Sequence, residues 1–303
     1  MLTRIGIVFG YLAFSTAIFV FGSSYYTLFR TNRSLTYRMM LPAFAGIVLW
    51  LATWRGEDPA VRWLAVGVLA ASAGNLMGWA VARLKRPLRI REASIRGIAL
   101  AKALESVTVI GTIVLVLVAC RVPMSSVYLT VGRWRLGLGL GLGGLLLFAT
   151  MAAIQARRSG VSTARWARLL PWAVSFGLAN AVMEELWFRG VFLRSLSSLL
   201  SPAVGVLLTA AVFATAHIGA TYLSKNDRLR FLAILFPLGA MWAVCTHFTG
   251  SLLASSLIHA GADLIIVNSL LAQQTTTENP TSASRRAGRR ADHETDGSAE
   301  RLS

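Results

Sequence analysis

Met183-Glu184-Glu185-Leu186-Trp187-Phe188-Arg189-Gly190 lies within a long apolar stretch, 169–200, and carries two adjacent carboxylates and a guanidinium within six residues. An ionised side chain at hydrocarbon depth costs several kcal/mol, so such groups face a cavity or each other and mark working sites. Glu185 and Arg189 are four residues apart, the spacing that makes neighbours on a helix, and a salt bridge between them is expected. A polar cluster set this deep predicts a buried site in a membrane protein.

The rest of the chain supports that class. Of its 303 residues, 55% are hydrophobic and only 14% charged, and the mean hydropathy is +0.60. A soluble domain carries about 25% charged residues. A helix crosses the hydrocarbon core with about 20 apolar residues. Runs that meet or approach this length fall at 5–29, 39–54, 63–82, 98–119, 136–153, 169–200, 202–222, 231–246 and 251–271. The second and eighth are short, so the expected fold is an all-α, polytopic transmembrane bundle of eight or nine spans. The first run lacks a small-residue cleavage site and is too long for a signal-peptide core, so it reads as an anchor.

Basic residues alternate in density between the loops. With nine spans, one face receives Arg30, Arg33, Arg38, Arg83, Lys85, Arg86, Arg89, Arg91 and Arg96. It also takes Arg157, Arg158, Arg165, Arg168, Lys225, Arg228 and Arg230. The other face receives Arg4, Arg55, Arg62, Arg121, Arg133, Arg135 and Arg194. The richer face belongs in the cytoplasm of a cell (inner or plasma) membrane, with the C-terminus inside. The net charge of +17 then reflects topology and contact with anionic lipid, and calls for no nucleic acid.

Three parts follow: N-terminal membrane helices with basic loops (1–168), a helical core (169–272) and a polar tail (273–303). The tail's Thr, Ser, Glu, Asp and Arg cannot bury enough surface to offset ordering, so disorder is expected. Its Arg285, Arg286, Arg289 and Arg290 form a solvated or lipid-facing charge run. Cys120 and Cys245 show neither a disulfide framework nor metal-ligand spacing. The glycine run Leu136-Gly-Leu-Gly-Leu-Gly-Leu-Gly-Gly144 lacks the lysine of a phosphate loop. Gly137/Gly141 and Gly139/Gly143 read instead as small-xxx-small pairs for close helix packing.

Histidines complete the site. His217 ends Phe213-Ala-Thr-Ala-His217 in the seventh run, and His259 opens His259-Ala-Gly-Ala-Asp263 in the ninth. Their i,i+4 spacing puts His259 and Asp263 on one helical face. His247 has no acidic neighbour and reads as interfacial, and His293 lies in the tail. At 1.5 Å per residue, His217 lies about 22 Å in from Pro202, Glu184 about 24 Å from Leu200 and Asp263 about 19 Å from Gly250. That register puts all three in the cytoplasmic half of the bilayer. Measured from Leu169, Glu184 comes nearer the opposite face.

Glu184-Glu185-x-x-x-Arg189, Phe213-x-x-x-His217 and His259-x-x-x-Asp263, in this order, resemble the three motifs of the CAAX protease and bacteriocin-processing family. These are intramembrane glutamate endopeptidases of the prenyl-protein endopeptidase type. The flanks Trp187-Phe-Arg-Gly190 and Thr249-Gly-Ser-Leu252 also read like the family, and the likeness covers 169–271. It implies an all-helical core and metal-independent hydrolysis of a peptide bond in a membrane-associated or lipidated substrate. By position Glu184 would be the general base, with His217 sharing the activated water. Glu185 and Arg189 would be the supporting pair, and His259 and the residue four further on would face the oxyanion. The family often has asparagine at that last place; Asp263, when ionised, accepts but cannot donate. It is then protonated, or orients His259, or serves this branch differently.

Two alternatives stay open. Glu184, His217, His259 and Asp263 also make a plausible divalent-metal shell for a metal-dependent protease, although no HExxH pair is present. A non-catalytic immunity or scaffold protein on the same fold is the other, because fold does not fix function. A transporter is weaker, since the halves show no repeated broken-helix pattern.

Overall fold

The computed structural model describes residues 59–84, 94–217 and 228–278, with Gly6, Val8, Phe9, Tyr11, Leu12, Leu88 and Ile90 as isolated positions. The expected runs 5–29 and 39–54 and the 279–303 part of the tail fall outside them, those few positions in the first run aside. Every regular element among the described residues is helical. In chain order they are α1 (Pro59–Leu84), α2 (Ile95–Ala119), a short 3₁₀ turn (Met124–Val127), α3 (Trp134–Arg158) and α4 (Thr163–Glu185). A π-helical segment (Leu186–Phe192), α5 (Leu193–Leu199), α6 (Pro202–Ala216), α7 (Arg228–Thr249) and α8 (Leu253–Glu278) follow.

Local chemistry sets several of these boundaries. Ser94, Ser162 and Ser201 precede α2, α4 and α6 in extended backbone, and each hydroxyl accepts a bond from a first-turn amide. Pro202 sits at the start of α6, where its missing N–H costs nothing. Between α7 and α8, Gly250 has a φ of +66°, which closes the turn.

Four helical stretches are long and apolar enough to cross a membrane: Ile95–Ala119, Trp134–Arg158, Leu229–Thr249 and Leu253–Leu271. They carry apolar residues on their exposed faces as well, such as Leu115 on α2, Leu140 and Leu147 on α3 and Val244 on α7. A helix apolar all round belongs in lipid rather than water. The chain is an integral membrane protein with an all-helical core. Helix α1 covers the expected run at 63–82.

Two expected spans take a different form. Run 169–200 is the second half of α4 continued through the π segment into α5, a helical path from Thr163 to Leu199. That path is about 50 Å long, beyond one straight crossing of about 30 Å. Within run 202–222 the described part is the 15 residues of α6, about 22 Å, with His217 as its C-cap, and 218–222 lie outside the described residues.

Helix α8 packs between α3 and α4; α4 rests on α2, α2 on α1, and α6 on α7. Small residues bring α3 and α8 together in parallel. A Cβ on Gly141 would stand 2.7 Å from Leu257 Cδ1, and one on Gly144 2.6 Å from Ile258 Cγ1. Gly137 faces Leu253 at 3.9 Å, whereas Gly139 and Gly143 meet nothing within 4 Å. The expected Gly137/Gly141 pair therefore packs and the Gly139/Gly143 pair does not; Gly144 takes its place, since a helix presents only one face to its neighbour. Asn268 on α8 adds a polar tie, its Nδ2 donating to the Ala152 carbonyl on α3.

Candidate active site

Residue Glu185 is the last of α4, and the chain then widens into the π segment, whose seven residues are all buried. Such a segment inside a helical run is rare and recurs at functional sites. It carries Arg189, whose Nη1 donates to Glu185 Oε1 at 3.0 Å while Nη2 donates to the Gly239 carbonyl of α7 at 3.0 Å. Neither charged side chain retains any exposed surface. Aromatic rings enclose the guanidinium, with Phe213 centred 4.3 Å and Trp242 5.2 Å away. At Gly239 a Cβ would lie 3.3 Å from Arg189 Nη2, so glycine lets the carbonyl and the guanidinium meet.

His259 joins this pair from α8. Its Nδ1 lies 2.8 Å from Glu185 Oε1. Its ring stacks on Trp242 at 4.1 Å with 10° between the planes, and Phe213 meets it edge-on at 5.8 Å. A carboxylate only accepts, so Nδ1 carries a hydrogen. Its Nε2 faces Glu184 Oε2 at 3.6 Å and Asp263 Oδ1 at 3.8 Å.

Glu184 meets the other ring nitrogen of His259 and reaches His217 as well. Its Oε2 is buried, has no hydrogen-bond partner, and stands 3.6 Å from Nε2 of His217 as well as of His259. His217 caps α6, and its Nδ1 lies 2.8 Å from the Phe213 carbonyl. That carbonyl fixes the hydrogen on Nδ1, leaving Nε2 of the neutral ring as an acceptor turned towards Glu184. Glu184 and His217 keep 15% and 20% of their side-chain surface exposed, against 4% or less for Glu185, Arg189, His259 and Asp263. Access to the cluster is therefore from the Glu184–His217 side.

All six residues singled out in the sequence thus come together: Glu184, Glu185, Arg189, His217, His259 and Asp263. They sit at different distances along their helices. Helix α8 begins at Leu253, so His259 is about 9 Å and Asp263 about 15 Å along it, while His217 is about 22 Å along α6 from Pro202.

Sequence reading missed several participants. Asn180, buried on α4 one turn before Glu184, donates from Nδ2 to Asp263 Oδ2 at 3.0 Å. Its signal was available: an amide four residues from Glu184 in an apolar run. Trp242 forms a wall beside Phe213 of the second motif, and nothing separates it in sequence from ordinary packing aromatics. Lys102 and Glu105 form a 3.1 Å ion pair inside α2, a span long and apolar enough to cross a membrane. Gly177 admits the close approach of α4 and α8, because a Cβ there would stand 2.7 Å from the Ala260 carbonyl oxygen. His247 lies exposed near the end of α7. Among the described residues, no three His, Cys, Asp or Glu side chains are disposed to hold a metal ion together.

Outside the membrane helices, burial raises the Tyr128 hydroxyl above its usual range, with Arg194 opposing. Tyr128 belongs to the support beneath the site, since its carbonyl accepts from Leu252 N at 3.2 Å, just before α8.

Residues 166–265 match the family described as type II CAAX prenyl endopeptidase Rce1-like. That stretch is similar to the CAAX proteases, and it holds all six clustered residues. No curated protein and no solved structure is significantly similar to the chain.

Proposed function

We propose that this CAAX-protease core works as a metal-independent intramembrane endopeptidase that hydrolyses a peptide bond in a membrane-associated or lipidated peptide or protein. One observation carries the reading: Glu184 Oε2, unpartnered and buried, facing two imidazole Nε2 atoms at 3.6 Å. Polar groups at that separation are within reach of each other through one water. Hydrolysis needs a base for the water and donors for the oxyanion.

In this scheme the Glu184 carboxylate takes one proton from water and His217 Nε2 accepts a hydrogen bond from the other. The water oxygen bonds to the scissile carbonyl carbon, whose oxygen becomes the oxyanion. The C–N bond then breaks, and the proton held by Glu184 passes to the leaving nitrogen. His259 donates to the oxyanion from Nε2. Because its Nδ1–H is already given to Glu185, that role requires the imidazolium. Glu185 and Arg189 neutralise each other and fix His259 against Trp242.

The bundle's charge pattern supports the placement. Arg96, Arg157, Arg158, Arg165, Arg168, Arg228 and Arg230 gather towards the end where α3 finishes and α4 and α7 begin. The opposite end has fewer: Arg62, which donates to the Cys120 carbonyl, Arg121, Arg133, Arg135 and Arg194. The richer end belongs in the cytoplasm of a cell membrane, beside anionic headgroups, and the C-terminus with it. Neither the charge nor the fold calls for nucleic acid.

The test is cleavage of a membrane-peptide library by the protein in liposomes. Glu184→Gln keeps the shape and removes the base, so kcat should fall about 10²- to 10⁴-fold, and His217→Ala should follow. Chelator should leave the wild-type rate unchanged. Loss of cleavage on chelation would transfer the site to a metal mechanism, and full activity in Glu184→Gln would end the peptidase reading.

A further inference from the structure

Asp263 presents a chemical difficulty to a hydrolytic site. As a carboxylate it has only acceptors, while the oxyanion beside His259 needs hydrogen-bond donors. Both its oxygens already face a donor group. Oδ2 takes the Asn180 amide at 3.0 Å and Oδ1 faces His259 Nε2 at 3.8 Å.

With Asp263 ionised, this contact also fixes which way the amide lies. Only the NH₂ end of Asn180 can serve a carboxylate, so its nitrogen is turned towards α8, and that nitrogen has a second hydrogen. Asn180 stands four residues before Glu184 on α4, on the same face as the proposed base. Base, imidazole and amide therefore converge on one spot, with Asp263 bridging the imidazole and the amide. Resting on the peptidase reading above, we infer that Asn180 is a catalytic donor: it supplies the oxyanion N–H that Asp263 lacks, and Asp263 is a positioning residue that aims it. The amide sits on α4 rather than α8, and the acid takes the place opposite.

An exchange experiment separates this role from packing. Cleavage is measured for wild type, Asn180→Ala, Asp263→Asn, the Asn180→Ala/Asp263→Asn pair and the swap Asn180→Asp/Asp263→Asn, with Glu184→Gln alongside. In the native background Asn180→Ala should lower kcat about 100-fold, with KM changed less than about threefold, the usual scale for one lost oxyanion donor. Against Asp263→Asn, whose new amide can donate from α8, the same change should cost less than about tenfold, a coupling that marks a shared role. The swap keeps one acid and one amide in contact, and its kcat should stay within about tenfold of Asp263→Asn. It also provides the test if Asn180→Ala fails to fold.

Equal losses in both backgrounds would make Asn180 a structural prop and overturn the inference. So would an unaffected Asn180→Ala, or a folded swap as inactive as Glu184→Gln while Asp263→Asn cleaves. Those results leave the Glu184 reading intact, which full activity in Glu184→Gln alone would remove.

Discussion

Glu185 and Arg189 are a charged pair with no exposed surface, and their partners show how such a pair is tolerated. The shared 3.0 Å contact, the Gly239 carbonyl, the His259 imidazole and the aromatic walls replace what water would supply. Removing one member leaves an uncompensated buried charge, so Arg189→Met should cost about 3–5 kcal/mol. Thermal unfolding in detergent would register the loss, and an unchanged melting temperature would contradict the account. Glu184 should behave oppositely. Its Oε2 has no hydrogen-bond partner to lose, so Glu184→Gln should melt within a few degrees of wild type while cleavage collapses. At this scale the sequence was largely legible, because ionisable residues in apolar runs are rare enough to stand out. Asn180 escaped because it carries no charge, and Trp242 because an apolar span is full of aromatics.

Helices bring those residues together through close approaches that leave room for nothing else. Where α4 crosses α8, a methyl on Gly177 would push into the Ala260 carbonyl, next to His259. Gly177→Ala should therefore cost about 1–3 kcal/mol through overpacking and lower kcat by loosening the cluster. Gly139→Ala, which would meet open space on α3, should change neither. Equal tolerance at both positions, read by melting temperature and cleavage rate, would refute this packing scheme. Periodicity and glycine spacing predicted that α3 packs closely, but not which stripe of glycines faces α8. The π segment was hidden as well: its wider winding is a matter of backbone hydrogen bonds, and the Leu186–Phe192 stretch reads as ordinary apolar helix. The early end of α6 was missed for a similar reason, since hydrophobicity continues past His217 in the sequence.

For the whole molecule, the charge asymmetry between the two ends makes a topological prediction. A fluorescent protein fused after Ser303 should light up on the cytoplasmic side, and an alkaline phosphatase fused there should stay inactive. The reverse pattern would invert the proposed orientation. Class and helical character could be read from composition together with the lengths of the apolar runs. The buried ion pair finally bears on how the chain is made. The Gly239 carbonyl lies 50 residues after Arg189, and His259 lies 74 residues after Glu185. At about 5–20 residues per second, a ribosome needs roughly 4–15 s to supply that imidazole. Until the later partners are made, Glu185 and Arg189 have each other, held at i,i+4 on one nascent segment. Their pairing thus acts as a temporary escort, letting a doubly charged stretch wait at the insertion machinery until the helices that enclose it arrive.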